Sequence, residues 1–318
     1  MSHERTVVVA GAAGFIGSNI TRALIEQEGY NVVGVDNFIT GSESNVDSLS
    51  QFPEFRFIEQ DIKDPINISG EIEAVYDFAC PASPADFDRF KMQILEANCA
   101  GIYNLLDLAR AKEAMFIFSS SSEVYGDAEI TPQNESYNGN VNTTGIRSIY
   151  DEGKRFGESM TMTFHREYGL PTRIVRIFNT YGVGMHPNDS RAIPMFIKQA
   201  LRGDDLTIFG DGTQTRSPQY ITDLVEGILR LAKSKVIEPV NIGNPDEYTI
   251  NDIAQRIVEI VDSGSKLVYQ PLPHIHDPKQ RRPDIEKAKN ELGWMSTTPF
   301  SVGLNKTIDW FRFRKIED

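Results

Sequence analysis

Three glycines, Gly11, Gly14 and Gly17, mark the passage from an apolar β-branched run, Thr6–Ala10, into a stretch of helical period that begins at Phe15 and contains the third of them. In a Gly-x-x-Gly-x-x-Gly turn the backbone can approach a ligand closely. The helix that follows aims its free N–H groups at that ligand, as a pyrophosphate requires. A glycine turn by itself marks only a tight turn. Asp36 supplies the second point, because it ends the next apolar run, Asn31–Asp36. A carboxylate about 20 residues beyond such a turn accepts both hydroxyls of a ribose. It also repels a 2′-phosphate. Turn and acid together predict a dinucleotide cradle and favour NAD over NADP.

Further short apolar runs, Phe55–Glu59, Ala74–Phe78 and Met115–Ser119, alternate with helix-period stretches such as Phe15–Glu28 and Met92–Ala111. Alternation of this kind predicts a parallel sheet covered on both faces, an α/β doubly wound domain of Rossmann type. A long helix is expected from Ser148 to Tyr168, stopped by Gly169-Leu170-Pro171, as glycine then proline should stop it. Thr172–Phe178 reads as another buried strand. After Asn179 glycine and proline come more often. Short strands (Leu206–Phe209, Val240–Ile242, Leu267–Gln270) interleave there with helices near Ala192–Arg202, Asp223–Lys233, Asn251–Val261 and Val302–Phe313. The expectation is a cofactor domain over 1–180 and a smaller α/β substrate domain over 181–318, with the chain able to cross back between them.

The chain carries 32 Lys and Arg against 45 Asp and Glu, a net charge of −13. That balance argues against nucleic acid and anionic membrane as main partners. An anionic ligand must then be met by local Arg, Lys and helix N-termini. Cys80 and Cys99 make neither a disulfide framework nor a zinc set and fit a reducing compartment. His165, His274 and His276 lack metal-ligand context and read as structural or exposed, so no metal is expected. No apolar run approaches the about 20 residues of a membrane span. Met1-Ser2-His3-Glu4-Arg5 leads straight into a strand without a secretory signal. The expectation is a soluble cytoplasmic protein.

Chemistry is signalled in the middle of the chain. Tyr150-Asp151-Glu152-Gly153-Lys154 puts a phenol and an ammonium one helical turn apart, on one face. Ser119-Ser120-Ser121-Ser122-Glu123-Val124-Tyr125-Gly126 is polar where a buried strand should end. A cofactor that takes hydride beside a base that takes a proton makes a redox site.

These residues resemble a family. The glycine turn, the serine-rich strand end and Tyr150-x-x-x-Lys154 are similar to the extended short-chain dehydrogenase/reductases that modify nucleotide sugars. Within them the likeness is greatest to UDP-glucuronate decarboxylases. It extends through Asp36-Asn37-Phe38-Ile39-Thr40-Gly41, Arg176-Ile177-Phe178-Asn179-Thr180-Tyr181-Gly182, Met185-His186-Pro187-Asn188-Asp189, Gly210-Asp211-Gly212-Thr213-Gln214-Thr215-Arg216-Ser217 and Arg281-Arg282-Pro283-Asp284-Ile285. The resemblance implies a homodimer through two long helices of each subunit. It implies NAD contacts at Gly11, Gly14, Phe15, Ile16, Gly17, Asp36, Asn37, Asp61, Ile62, Ala79, Tyr150 and Lys154. Asp61 is placed either to meet the adenine amino group or to cap a helix.

In the family a tyrosinate removes the sugar 4-hydroxyl proton while hydride leaves C4, which assigns the base to Tyr150. A free phenol has a pKa of about 10; Lys154 and a positive nicotinamide would lower it. Ser121 shares the hydrogen bond to the 4-oxygen. With a carboxylate at C6 the 4-ketone is a β-keto acid, which loses carbon dioxide. Related 4,6-dehydratases carry Asp-Glu where this chain has Ser122-Glu123, so their leaving-group acid is absent. Glu123 either positions water or handles the proton at C5. Arg216 and Arg281 are expected to clamp the diphosphate, since guanidinium matches phosphate oxygens bidentately; Arg281 also faces the carboxylate region by resemblance. Asn179 and Arg191 complete the substrate set.

The chain departs from the family at several points. Gly182-Val183-Gly184-Met185 stands where uronate-acting relatives have Gly-Pro-Arg-Met. Phe87 replaces a tyrosine, Asn138 an aromatic and Pro218 a phenylalanine. Losing an arginine that binds a carboxylate costs about 1.5–3 kcal/mol for the charged hydrogen bond alone. On the resemblance and the Ser122-Glu123 pair, decarboxylation of UDP-glucuronate to UDP-xylose leads the readings, and these departures are what set alternatives beside it. The alternatives are a nucleotide-sugar 4-epimerase, another C4-oxidising lyase, or an NAD-binding sensor without turnover.

Overall fold

The computed structural model describes residues 5–272 and 280–313. Its strands, in chain order, begin with β1 (Thr6–Ala10), β2 (Asn31–Asp36), β3 (Phe55–Glu59), β4 (Ala74–Asp77), β5 (Met115–Ser121) and β6 (Thr172–Ile177). Then come β7 (Thr180–Tyr181), β8 (Leu206–Phe209), β9 (Thr215–Arg216), β10 (Gln219–Tyr220), β11 (Val240–Ile242), β12 (Tyr248–Thr249) and β13 (Leu267–Gln270). The helices of the first half are α1 (Phe15–Glu26), α2 (Glu43–Leu49), α3 (Asp86–Arg89), α4 (Lys91–Glu96), α5 (Ile102–Ala111) and α6 (Ser148–Tyr168). Those of the second half are α7 (Ala192–Arg202), α8 (Ile221–Lys233), α9 (Ile250–Val261), α10 (Glu286–Leu292) and α11 (Phe300–Arg312).

Seven strands form one parallel sheet in the order β11-β6-β5-β4-β1-β2-β3. Alternation along β1 shows why the sheet reads as a continuous apolar run. Val7 and Val9 enter one core and Val8 and Ala10 the other, and all four are fully buried. Burying a valine side chain on either face stabilises by roughly 1.5–3 kcal/mol, so neither face tolerates a polar residue. Strand order reverses between β1 and β4. In doubly wound sheets that is where a crevice opens beyond the carboxyl ends of the strands.

Helix α6 lies against β5 at unusually short range. A Cβ on Gly157 would come 2.3 Å from the Phe118 ring, so only glycine allows this approach. At the next position of the helix, Glu158 accepts from Arg176 of β6 through both carboxylate oxygens (2.8 Å each) and from Ser120 Oγ (2.6 Å). Arg176 in turn donates to the Tyr125 hydroxyl, which donates to Asn241 of β11. This buried chain fixes the register of α6 on the sheet.

Most expected elements occur at or near their expected bounds. The expected helix over Met92–Ala111 is broken into α4, a π-helical turn at Ala97–Gly101, and α5. At that turn Gly101 packs where a Cβ would strike the Ile62 side chain. His165 Nδ1 lies 2.8 Å from the Leu170 carbonyl at the end of α6. His274 and His276 lie outside the described residues, as do all of Met1-Ser2-His3-Glu4-Arg5 except Arg5. Among the described residues no helix is long and apolar enough to cross a membrane, and no group of three or more His, Cys, Asp or Glu is arranged to hold a metal. Cys80, half-buried, and Cys99, exposed, are both free thiols.

Candidate active site

A cleft of about 610 Å³ runs along the carboxyl ends of the strands at the switch point. At one end the glycine turn enters α1. Gly11 has φ +80°, and a Cβ there would lie 2.5 Å from the Phe78 carbonyl oxygen; a Cβ on Gly17 would lie 1.9 Å from that of Gly11. The turn is a cradle that only glycine leaves open. Helix α1 has Gly14 at its N-cap, with no side-chain cap and no acidic residue in its first turn. The first amides of a helix have no partner within it, so Phe15, Ile16 and Gly17 offer theirs to the cleft they line.

Asp36 closes this end. It is buried, and its two oxygens accept from the Ala13 and Phe38 amides at 3.0 and 2.8 Å. Burial pushes its carboxyl up, against those two amides. Asp61 accepts from Asn37 Nδ2 and from the Lys63 amide, each at 3.0 Å. It therefore caps a turn and faces the same cleft, joined there by Asn37, Ile62 and Ala79. The donors, the open turn and the acid fit a dinucleotide.

The other end is made of buried polar side chains. β5 delivers Ser121, whose Oγ accepts the Glu123 amide at 3.2 Å and caps a single 3-10 turn. That turn sets Glu123 at the cleft wall. Glu123 Oε2 accepts from Arg147 Nη2 at 2.6 Å and from Arg281 Nη2 at 3.0 Å. Burial alone would raise this carboxyl, but Arg281 and Arg147 outweigh it and hold it below the usual carboxylate range. Arg281, 3% exposed, also donates through Nη1 to the Ser122 and Gly126 carbonyls. Its guanidinium is thus committed to the Ser122–Gly126 turn and to Glu123, which departs from the diphosphate clamp expected of it.

Tyr150 and Lys154 come from the first turns of α6 and are both buried. The Tyr150 ring stacks on Phe87, with centroids 5.2 Å apart. Lys154 Nζ lies 5.1 Å from the Phe118 ring and 5.7 Å from that of Tyr150. Burial pushes the Tyr150 phenol up, Cys80 and Glu123 add to this, and Ser121 opposes it. Lys154 is not among the groups that act most on this phenol. Asp151 is pushed up to about 7, first by burial and then by Glu123.

Asn179, Arg191 and Arg216 line the remaining wall. Arg191 Nε donates to Asp189 Oδ1 at 3.0 Å, and Arg216 Nη1 to the Thr215 carbonyl at 2.7 Å. Every residue expected from the sequence therefore faces one cleft. Two neighbours were not expected. Arg147 precedes α6 and reaches Glu123; its place one turn before Tyr150 was the available signal. Asp151 lies behind them, with Oδ1 buried and without a hydrogen-bond partner. Of the departures, Phe87 stacks on Tyr150 and Pro218 lines the cleft. Gly184 packs near Phe15, Ser18 and Asn19 of α1, on the cofactor side. Asn138 holds Arg155 outside the cleft.

Fold and site together define a dinucleotide-dependent enzyme with a Tyr/Lys/Ser centre. A family model described as the NAD dependent epimerase/dehydratase family matches residues 7–243, and the chain belongs to that family. UDP-glucuronic acid decarboxylase 1 of Danio rerio is 44% identical over 308 residues, covering 97% of this chain and 73% of the relative. UDP-glucuronic acid decarboxylase 3 of Arabidopsis thaliana is 42% identical over 309 residues, 97% of this chain and 89% of the relative. Among solved structures, UDP-glucuronic acid 4-epimerase from Bacillus cereus in complex with UDP-glucuronic acid and NAD superimposes with a TM-score of 0.86 at 30% identity, over 96% of this chain and 99% of that one. UDP-glucose 4-epimerase of Thermotoga maritima gives a TM-score of 0.87 at 30% identity, over 96% and 98%.

Proposed function

We propose that this chain is an NAD-dependent nucleotide-sugar decarboxylase converting UDP-glucuronate to UDP-xylose. The observation that carries this reading is an ionised Glu123, held by two arginines, in one cleft with Ser121, Tyr150 and Lys154. Likeness to UDP-glucuronic acid decarboxylases over 97% of the chain supports it.

Bound NAD supplies a reversible hydride acceptor and a positive ring that opposes the burial of a Tyr150 phenolate. Tyr150 Oη takes the proton of the sugar 4-hydroxyl, and Ser121 donates to the same oxygen. Lys154 keeps a positive charge behind the phenol. With C4 a ketone, the C5–C6 bond breaks, carbon dioxide leaves and the electron pair stays as the C4–C5 enolate. Ser121 and the protonated Tyr150 hold the charge on O4. Protonation at C5 and reduction at C4 complete the turn, with one proton consumed. Ser122 has no acid group to protonate a departing 6-hydroxyl, which disfavours 4,6-dehydration.

Asn179, Arg191 and Arg216 serve the diphosphate in this proposal, whereas Arg281 serves Glu123. Residues 1–180 form the NAD unit, completed by β11, and the rest of 181–318 the nucleotide-sugar unit. A homodimer is proposed through the faces of α5 and α6 that expose Tyr103 (53%) and Phe156 (50%); Phe156→Asp should shift the light-scattering mass from two subunits to one. The two free cysteines support a cytoplasmic setting.

Proton NMR of the protein with UDP-glucuronate and NAD⁺ tests the function. Paired C5 methylene signals and loss of the carboxyl establish the decarboxylase. A 4-epimer with its carboxylate retained makes it an epimerase, the reading favoured by the likeness to the Bacillus cereus enzyme. Unchanged sugar with NAD bound excludes UDP-glucuronate as substrate and leaves a related nucleotide sugar, to be sought with a panel, or the sensor reading.

A further inference from the structure

We infer that Arg147 is a positioning residue of this site: with Arg281 it pins Oε2 of Glu123, so that Oε1 is the oxygen presented to the cleft as a fixed acceptor. The inference rests on the proposed reaction for its catalytic consequence, but not for its geometry.

Arg147 and Arg281 donate to the same oxygen at 2.6 and 3.0 Å, from positions 24 residues after Glu123 and 158 residues after it. The two arginines are held differently. Arg281 is anchored by two backbone carbonyls and belongs to the wall. Arg147 sits between two carboxylates, Glu123 and, at 4.0 Å from Nε, Asp151. Its guanidinium lies 5.6 Å from the centroid of Phe87, the ring that stacks on Tyr150. One side chain therefore sets the orientation of Glu123 and packs the partner of the proposed base.

The charged and titratable groups facing Glu123 are Arg281, Arg147, Arg216, Asp151 and Tyr150. Asp151 is the weaker competitor for Arg147, because burial favours its protonated form. Glu123 is left as the anion. It can then orient a sugar hydroxyl or a water, and it is the wrong group to deliver a proton at neutral pH.

The test uses the NAD-loaded protein with Arg147→Gln and Arg147→Lys. One reading is the pH profile of kcat/KM on UDP-glucuronate. The other is the Glu123 carboxyl titration by carbon NMR in glutamate-labelled protein, with Glu123→Gln identifying the resonance. In Arg147→Gln the Glu123 titration and the acid limb should both move up by about one pH unit, the sign expected when an opposite charge is removed. The kcat should fall at least about tenfold with KM changed less. Arg147→Lys should restore the titration but not kcat, since an ammonium keeps the charge without the fork. Glu123 titrating where it does in the wild type, in a folded Arg147→Gln protein, overturns the inference. So does full kcat in Arg147→Lys. The NMR titration needs no turnover, so a wild type that makes no UDP-xylose sinks the proposed function while the positioning role is still decided.

Discussion

Helices α1 and α6 both begin at the cleft, and they meet it by opposite means. Helix α1 arrives through glycines and offers backbone, with no side chain at its cap and no acid in its first turn. Helix α6 arrives through Arg147 and offers side chains: Tyr150, Asp151 and Lys154, buried within its first two turns. Amides at a helix start need only an open turn, which a single local segment encodes. Buried charges need partners, and here those come from the end of β5 and from Arg281. One end of the cleft is thus a property of a short stretch of chain, and the other of the whole fold.

Four substitutions sharpen or break that contrast. Tyr150→Phe removes a proposed reacting atom from the side-chain end. Turnover should fall about 10³-fold, the scale of a lost general base, with bound NAD and Tm unchanged. Persistent turnover would take the base role from Tyr150. Glu158→Gln leaves the buried guanidinium of Arg176 without its anion, which costs about 3 kcal/mol. Thermal unfolding should show the loss; an unchanged Tm would mean that the register of α6 is set by packing alone.

Asp36→Ala acts on the backbone end. Loss of charged hydrogen bonds of about 1.5–3 kcal/mol should weaken NAD at least about tenfold by calorimetry. Equal affinity would remove Asp36 from the ribose role. The smallest effect is a gain. An unfolded aspartate titrates near 3.9, whereas Asp151 in the folded chain is pushed up to about 7. Between those values the folded state keeps a proton that the unfolded chain has released, so stability falls as pH rises and the deficit is complete above about 7. Asp151→Asn should raise Tm by about 2–4 °C at pH 8. The difference should vanish as the pH is lowered towards 4; a constant difference would point to packing rather than charge.

The same contrast explains what could be read from the sequence. β2 and β3 fall on their expected bounds because each is a short apolar run ended by an acid. The glycine turn is legible because only glycine fits it. The break in Met92–Ala111 is not, since a π-turn keeps the apolar period on both sides and has no residue signature of its own. Nor does any spacing announce that Glu123, Arg147 and Arg281 share one oxygen. From its residue type Arg281 reads as a phosphate ligand, and by resemblance as one that also faces the carboxylate region, while the partners it has here follow from a turn 155 residues earlier, at Gly126.

The last strand in chain order to join the central sheet, β11, is paired to β6 only after the chain has passed through β7 to β10 and helices α7 and α8. Until Ile242 leaves the ribosome, β6 is an open edge and Tyr125 has no Asn241 to bind. A nascent chain stopped near residue 180 therefore displays an unfinished sheet with a sticky border. A gene cut near residue 180 therefore yields a first fragment whose central sheet lacks its edge strand β11.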